Sequence, residues 1–260
     1  MKLGFMSSVC PDKSLTELIE IGKRYGYEGL EFRPEWGQAH GIELDASPAE
    51  RKEAAAVLRE SELEGVCLSP GTRFQRDDKD ALEVELEKLL RYIDLATEVG
   101  IPLIRVFGDP LPITGRGQRA RQYQVLADYY GRAAERAEAA GVILALETHM
   151  NFRGFDAGEV LFRAGYPPAL RINWHLGHCL RYGEGVDEAY RHVKGRVVHV
   201  HFSLSDDEAR NQAQARQVAL LRDEGYEGYV SIEVINPDDP IAVLKQYAEV
   251  WADLKERLGF

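Results

Sequence analysis

Ala145-Leu146-Glu147-Thr148-His149 decides how the rest of this chain is read. It has the apolar character of a buried strand, yet it carries a carboxylate and an imidazole two positions apart. Side chains alternate across a strand, so Glu147 and His149 share one side. A carboxylate among Leu144, Ala145 and Leu146 is costly to bury unless a cation or hydrogen-bond donors compensate it. Three later runs repeat the pattern: Arg171-Ile172-Asn173-Trp174-His175, Val197-Val198-His199-Val200-His201 and Val230-Ser231-Ile232-Glu233-Val234. Glu, His, His and Glu at the ends of four successive apolar strands form a ligand pattern for one divalent metal ion. Mixed oxygen and nitrogen donors of this kind suit Mn²⁺, Co²⁺, Zn²⁺ or Fe²⁺. Such an ion can hold two neighbouring substrate oxygens and acidify the carbon-bound proton between them.

Working outward, eight short apolar runs alternate with amphipathic stretches. The runs lie near residues 2–8, 28–33, 65–69, 102–107, 142–149, 171–175, 197–203 and 230–235. Ser14 and Ser47-Pro48 mark the starts of the first two helices, and Gly141 ends a helix over 118–140. Other helices are expected over 78–99, after Phe155-Asp156, near 186–192, and over 207–224 and 240–257. Repeated strand–helix alternation implies a parallel sheet with right-handed crossovers. Eight units within 260 residues fit a closed (β/α)8 TIM barrel, an α/β fold. A doubly wound sheet usually has a glycine-rich turn after its first strand, and Ser7-Ser8-Val9-Cys10-Pro11-Asp12 is not one. No linker or low-complexity tract divides the chain, so residues 1–260 are expected to form a single domain.

Composition narrows the function. The net charge of −11 disfavours a nucleic-acid partner, which needs clustered Lys and Arg. No stretch approaches the roughly 20 apolar residues of a membrane span. Cys10, Cys67 and Cys179 form no CxxC pair, and three is an odd number for a disulfide framework. Reduced thiols and a cytoplasmic location are the simple expectation. Cys10 follows the first strand, where a passive small side chain outweighs a reactive thiol.

Active sites of such barrels lie at the C-terminal ends of the strands. Glu31 and Arg33 share a face there, and Arg105 lies in the fourth strand; these three form either an internal ion-pair cluster or part of a substrate site. Trp36 and His40 sit in the loop Glu35 to Asp45, which is either a lid with an aromatic wall or a solvated loop. Phe152 and Arg153 follow the fifth strand and are candidates to contact an anionic group. Arg116 and Arg119 follow Gly108, but their glycines make no phosphate-binding motif. Trp174 is expected to pack outward against helices, and His192 to be a surface residue.

These segments resemble the xylose-isomerase-like barrel superfamily of sugar isomerases and epimerases. The resemblance runs from Lys2-Leu3-Gly4-Phe5 through Gly26-Tyr27-Glu28-Gly29-Leu30-Glu31 and Ile104-Arg105-Val106-Phe107-Gly108. It continues through Ala145 to His149 and His199-Val200-His201, and ends at Gly225 to Glu233. It implies a metal held by Glu147, His201 and Glu233 and a substrate-side imidazole at His178. His175 stands where the family has an Asp ligand. Its imidazole either ligates, giving a two-Glu, two-His site, or is too long for the position and weakens the metal. The resemblance further implies catalysis by Glu147 and Glu233 on opposite faces of a substrate carbon, with His178 steadying a substrate oxygen and His149 either doing the same or orienting Glu147. A small carbohydrate-like substrate follows, and a homo-oligomer is compatible with it. A dehydratase of inososes or dehydroshikimate-like compounds begins with the same proton abstraction. A sugar-binding barrel without catalysis is the reading in which His175 has broken the site. An abasic-site endonuclease shares the barrel but needs more His and Asp ligands for three metals.

Overall fold

The expected strand–helix alternation is present along the whole chain. The structure is a computed structural model describing residues 1–75, 78–113 and 115–260, without the side chain of Arg116. The strands are β1 (Lys2–Met6), β2 (Gly29–Phe32), β3 (Glu64–Leu68), β4 (Leu103–Phe107), β5 (Ile143–Glu147), β6 (Leu170–His175), β7 (Val197–Phe202) and β8 (Tyr229–Ile232). All pair in parallel in chain order, and β1 pairs with both β2 and β8, which closes the barrel. Around it run α1 (Leu15–Tyr25), α2 (Pro48–Glu60), α3 (Lys79–Val99), α4 (Arg116–Ala140), α5 (Gly154–Arg163), α6 (Leu176–Arg181), α7 (Val186–Val193), α8 (Glu208–Asp223) and α9 (Pro240–Leu258). Among the described residues no helix is long and apolar enough to cross a membrane.

The local signals act as the sequence suggests. Ser14 caps α1 by accepting from the Glu17 amide, and Glu17 accepts from the Ser14 amide at 2.9 Å. Ser47 and Glu50 repeat this capping box at α2. Gly26 ends α1 at φ 78°, a left-handed conformation that a side chain disfavours. The sequence pattern did not announce α6. It starts directly after His175 with no side-chain cap, so nothing local separates it from β6.

The outer faces of the strands pack on the helices. Trp174 is fully buried there and stacks on Tyr190 of α7, 6.0 Å between centroids. The barrel interior has two tiers. At the N-terminal end Val66, Cys67 and Leu103 pack with Ile143, Val198 and Tyr229. Above them the interior is polar, with Glu31, Arg105, Glu147, Asn173, His199 and His201 all buried. Two register shifts accompany this change. One sets Glu31 opposite Cys67 and leaves Val66 as the extra residue; the other sets Asn173 opposite His199 and leaves Val198 extra. Cys10 is buried, and burial pushes its thiol up to about 11, which makes it a passive side chain.

The loop after β2 folds around His40. Its Nδ1 accepts from the Ile42 amide at 3.0 Å, its Nε2 faces the Arg33 carbonyl at 3.4 Å, and its ring meets Phe32 edge-on. Burial lowers the His40 pKa to about 4 from 6.5. Between those values the unfolded chain binds a proton that the folded chain refuses, so stability falls as pH drops through that window and is flat above it. His40 alone accounts for up to about 3 kcal/mol between pH 7 and pH 4. Urea midpoints of the wild type are expected to fall over this range, and His40→Asn to flatten the decline. An equal decline in the variant would remove His40 as its source.

Tyr229 seals the N-terminal end. A Cβ at Gly29 would meet its ring at 2.5 Å and Val66 at 2.8 Å. Gly29→Val is therefore expected to cost about 1–3 kcal/mol by overpacking. An unchanged thermal midpoint would show that Tyr229 swings aside.

Candidate metal centre

Glu147 and His175 are the last residues of β5 and β6, His201 lies one residue before the end of β7, and Glu233 follows β8. Alternation sends all four side chains inward at one level of the mouth. Thr148 ties the ends of β5 and β6 together. Its hydroxyl donates to the His175 carbonyl at 3.1 Å and accepts from the His175 amide at 2.8 Å.

Four atoms converge. Nδ1 of His175 lies 3.2 Å from Oε1 of Glu147 and 3.2 Å from Oε2 of Glu233. Nδ1 of His201 lies 3.0 Å from the same Glu147 oxygen and 3.2 Å from the same Glu233 oxygen. All four donor atoms fall within 4.8 Å of one another. A ring nitrogen carries at most one proton, so a hydrogen bond serves only one of the two carboxylates each Nδ1 faces. A central cation serves all four atoms together. With ligand bonds of roughly 2.0–2.1 Å, the edges of a tetrahedron around an ion are about 3.3–3.4 Å. The N···O spacings match that scale.

His175 reaches the cluster through Nδ1, the nearer of its two ring nitrogens. Nδ1 is three bonds from Cα, as is the Oδ of an aspartate. Only Nε2 extends further, and it turns to Ser203 Oγ at 3.4 Å.

A second layer of contacts sets the tautomers. His201 donates from Nε2 to Glu31 Oε1 at 2.9 Å, so Nδ1 is the nitrogen that would offer its electron pair to an ion once its own proton is displaced. Glu31 also accepts from His199 Nε2 at 2.8 Å and from the Ser69 hydroxyl. Arg105 Nε lies 3.4 Å from the second oxygen of Glu147. Burial alone would push the Glu147 carboxyl up, but His201 and the hydrogen bonds from both imidazoles hold it well below the usual carboxylate range. Burial likewise opposes charge on His201, and Glu31, Glu147 and Glu233 outweigh it, raising that imidazole well above its ordinary value. The carboxylates thus favour positive charge at the centre, whether as protons on the imidazoles or as a cation between them.

The remaining candidates divide. His178 is next to the cluster, its ring edge-on to His175 at 4.2 Å and to His149 at 4.4 Å. Burial and the adjacent His175 and His149 pull its pKa down to about 3, so it stays neutral. His149 donates from Nδ1 to Asp109 at 2.8 Å, a partner not anticipated from sequence. Trp36 is 43% exposed and lies over the Arg33 guanidinium at 3.9 Å. Two further candidates for substrate contact are engaged by the protein itself. Both ring nitrogens of His40 engage the backbone of its own loop. Arg153 begins α5 and turns to Asp156, with Nε 3.4 Å from its carboxylate. Arg119 also turns to Asp156, at 3.5 Å. The Arg116 side chain lies outside the described residues.

Sequence reasoning noticed Glu31 and Arg105 but not their partners. Glu31 meets His201 from 170 residues away, across the barrel. The inward face that Glu31 shares with Arg33 was the available signal.

Comparison with known proteins agrees with this architecture. Solved structures of the same fold include D-psicose 3-epimerase in the presence of D-fructose, 15% identical with TM-score 0.77 over 100% of both chains. The probable 3-DHS dehydratase AsbF of Bacillus anthracis is 17% identical with TM-score 0.73, over 97% of this chain and 99% of that one. The IOLI protein with a binding zinc atom is 14% identical with TM-score 0.75, over 99% and 98%. At these identities the likeness is one of fold. No curated protein sequence matches the chain. The family model for the xylose isomerase-like TIM barrel matches residues 19–254, and the chain belongs to that family.

Proposed function

We propose that this protein is a metal-dependent isomerase or epimerase acting on a small keto sugar or polyol-like compound. One observation carries the reading: Glu147 Oε1, His175 Nδ1, His201 Nδ1 and Glu233 Oε2 converge at the C-terminal mouth of the barrel. The fold likeness to sugar epimerases supports it. Two imidazoles and two carboxylates favour Zn²⁺, Co²⁺ or Mn²⁺ over harder ions. Bound there, such an ion would polarise a substrate carbonyl and acidify the neighbouring C–H.

The chain's own residues then move the proton. Glu233 keeps 15% of its side chain exposed, whereas Glu147 has none and its second oxygen faces Arg105. A general base must reach its proton at hydrogen-bond distance, so Glu233 is the base open to a substrate entering from the loops. Glu147, ionised at rest, would return a proton from the barrel side after taking one up from solvent, and Glu233 would release the one it removed to solvent. His178, held neutral, steadies a substrate oxygen. His149, anchored through Nδ1 by Asp109, presents Nε2 to a second one.

The first test is metal counting by mass spectrometry on purified protein. About one equivalent per chain is expected, lost in Glu233→Ala and retained in His175→Asp. No uptake of added Mn²⁺, Co²⁺ or Zn²⁺ would sink the reading and favour a sugar-binding barrel without catalysis. On keto sugars in deuterated water, Glu147→Gln and Glu233→Gln are each expected to slow proton exchange by about 10²–10⁴. Unchanged exchange in both would remove them as catalysts. Rising absorbance from a conjugated product, with an inosose or dehydroshikimate, would make the reaction a dehydration.

Glu31→Gln tests the support beneath the site. An amide oxygen cannot balance His199 and His201 as a carboxylate does, and metal affinity is expected to fall by about 10–100-fold in a chelator competition. Unaltered affinity would make Glu31 a packing residue only.

A further inference from the structure

The wall of the mouth away from the carboxylate–imidazole cluster carries arginines. Arg33 stands two residues beyond Glu31 and so shares its inward face. Arg105 lies in β4, and Arg73 follows β3, bridged in parallel to Phe107. Arg105 and Arg73 both lie over the Phe107 ring, at 3.8 Å and 4.6 Å from its centroid.

Glu31, Glu147 and Glu233 act on Arg33 from a distance, but these cations have few direct partners. Arg105 is 1% exposed and partly offsets Glu147, yet its Nε and Nη1 have no hydrogen-bond partner. Among the described residues neither Arg33 nor Arg73 forms an ion pair with a carboxylate. Arg33 Nε is buried without a partner, and Arg73 Nε reaches only the Gly71 carbonyl, at 3.4 Å. Burial and the neighbouring charge of Arg105 pull the Arg33 pKa down, against the opposing pull of Glu233, Glu147 and Glu31. Cation–π contacts with Trp36 and Phe107 account for about 0.5–2 kcal/mol each and leave N–H donors of both guanidinium groups without a carboxylate acceptor. The wall is close to the cluster. Arg105 touches Glu147, and the Phe107 ring leads to His149 at 4.7 Å, then to His178 and His175.

A neutral sugar's hydroxyls can accept from guanidinium groups one bond at a time, whereas a carboxylate or phosphate accepts their forked N–H donors pairwise and brings the opposite charge. We propose that the substrate bears an anionic end group, seated on Arg33 and Arg73, while its carbonyl end faces Glu147, His175, His201 and Glu233. The orientation rests on the functional reading given above; the anion preference does not. A carboxylate and a phosphate share the required chemistry.

The test is calorimetry on Mn²⁺-loaded protein with three matched probes: dihydroxyacetone, hydroxypyruvate and dihydroxyacetone phosphate. At least one anion is expected to bind about tenfold or more tighter than the neutral probe. Hydroxypyruvate ahead identifies a carboxylate, and the phosphate ahead a phosphoryl group. Direct contact of an anion with the ion would favour anions in every variant alike. Arg33→Met and Arg73→Met isolate the arginines: each should erase most of the anion advantage, with bound metal unchanged and dihydroxyacetone binding preserved. Equal affinity for all three probes in the wild type would overturn the proposal. So would variants that weaken all three by one factor. Metal counted on the same samples separates the two claims. Protein that takes up no metal but keeps an arginine-dependent anion preference sinks the metal reading and upholds this one.

Discussion

Carboxylates without exposed surface, enclosed by a closed barrel, constrain everything around them. Glu31 and Glu147 are fully buried, and an isolated buried carboxylate costs more than a small domain tolerates. The barrel meets this with cations and donors at fixed positions. Arg105 faces Glu147, His199 and the Ser69 hydroxyl face Glu31, and His201 stands between the two, donating to Glu31 with one nitrogen and facing Glu147 with the other. Removing a member of such a network leaves its partner charged and buried, which costs more than the contact itself contributed. The polar upper tier therefore behaves as one unit.

His175 fits this unit through its near nitrogen. A histidine in place of an aspartate removes a negative charge from the centre and adds a second N–H, which Ser203 receives. The change also moves the donor set toward nitrogen, and with it the expected choice of ion. Thr148 holds the backbone of His175 from both sides, so the imidazole has little freedom to leave the cluster.

The repeating unit of the fold was legible because its signals are local. Ser14-Leu15-Thr16-Glu17 and Ser47-Pro48-Ala49-Glu50 show their caps within four residues, and each strand shows itself as an apolar run. The cluster was legible in part for the same reason, since period-two alternation places Glu147, His175, His201 and Glu233 on inward faces. What sequence could not show is pairing across the barrel. His40 looked like a mouth residue by its distance from β2, and only the folded loop reveals that its backbone takes both ring nitrogens. Arg153 looked like an anion contact by its place after β5, but the buried Asp156 three residues on captures it. Asp109 and His149 meet from neighbouring strands with nothing in either local segment to announce the other.

The apolar tier beneath the site has a kinetic meaning. Tyr229, Val66 and Leu103 fill the barrel's N-terminal end, so traffic to the polar tier passes through the loop end. On the function proposed above, an ion and a substrate would share this one doorway, and the deeper of the two would arrive first and leave last. A seated substrate would then act as a cork on the ion, slowing its escape without adding any bond to it.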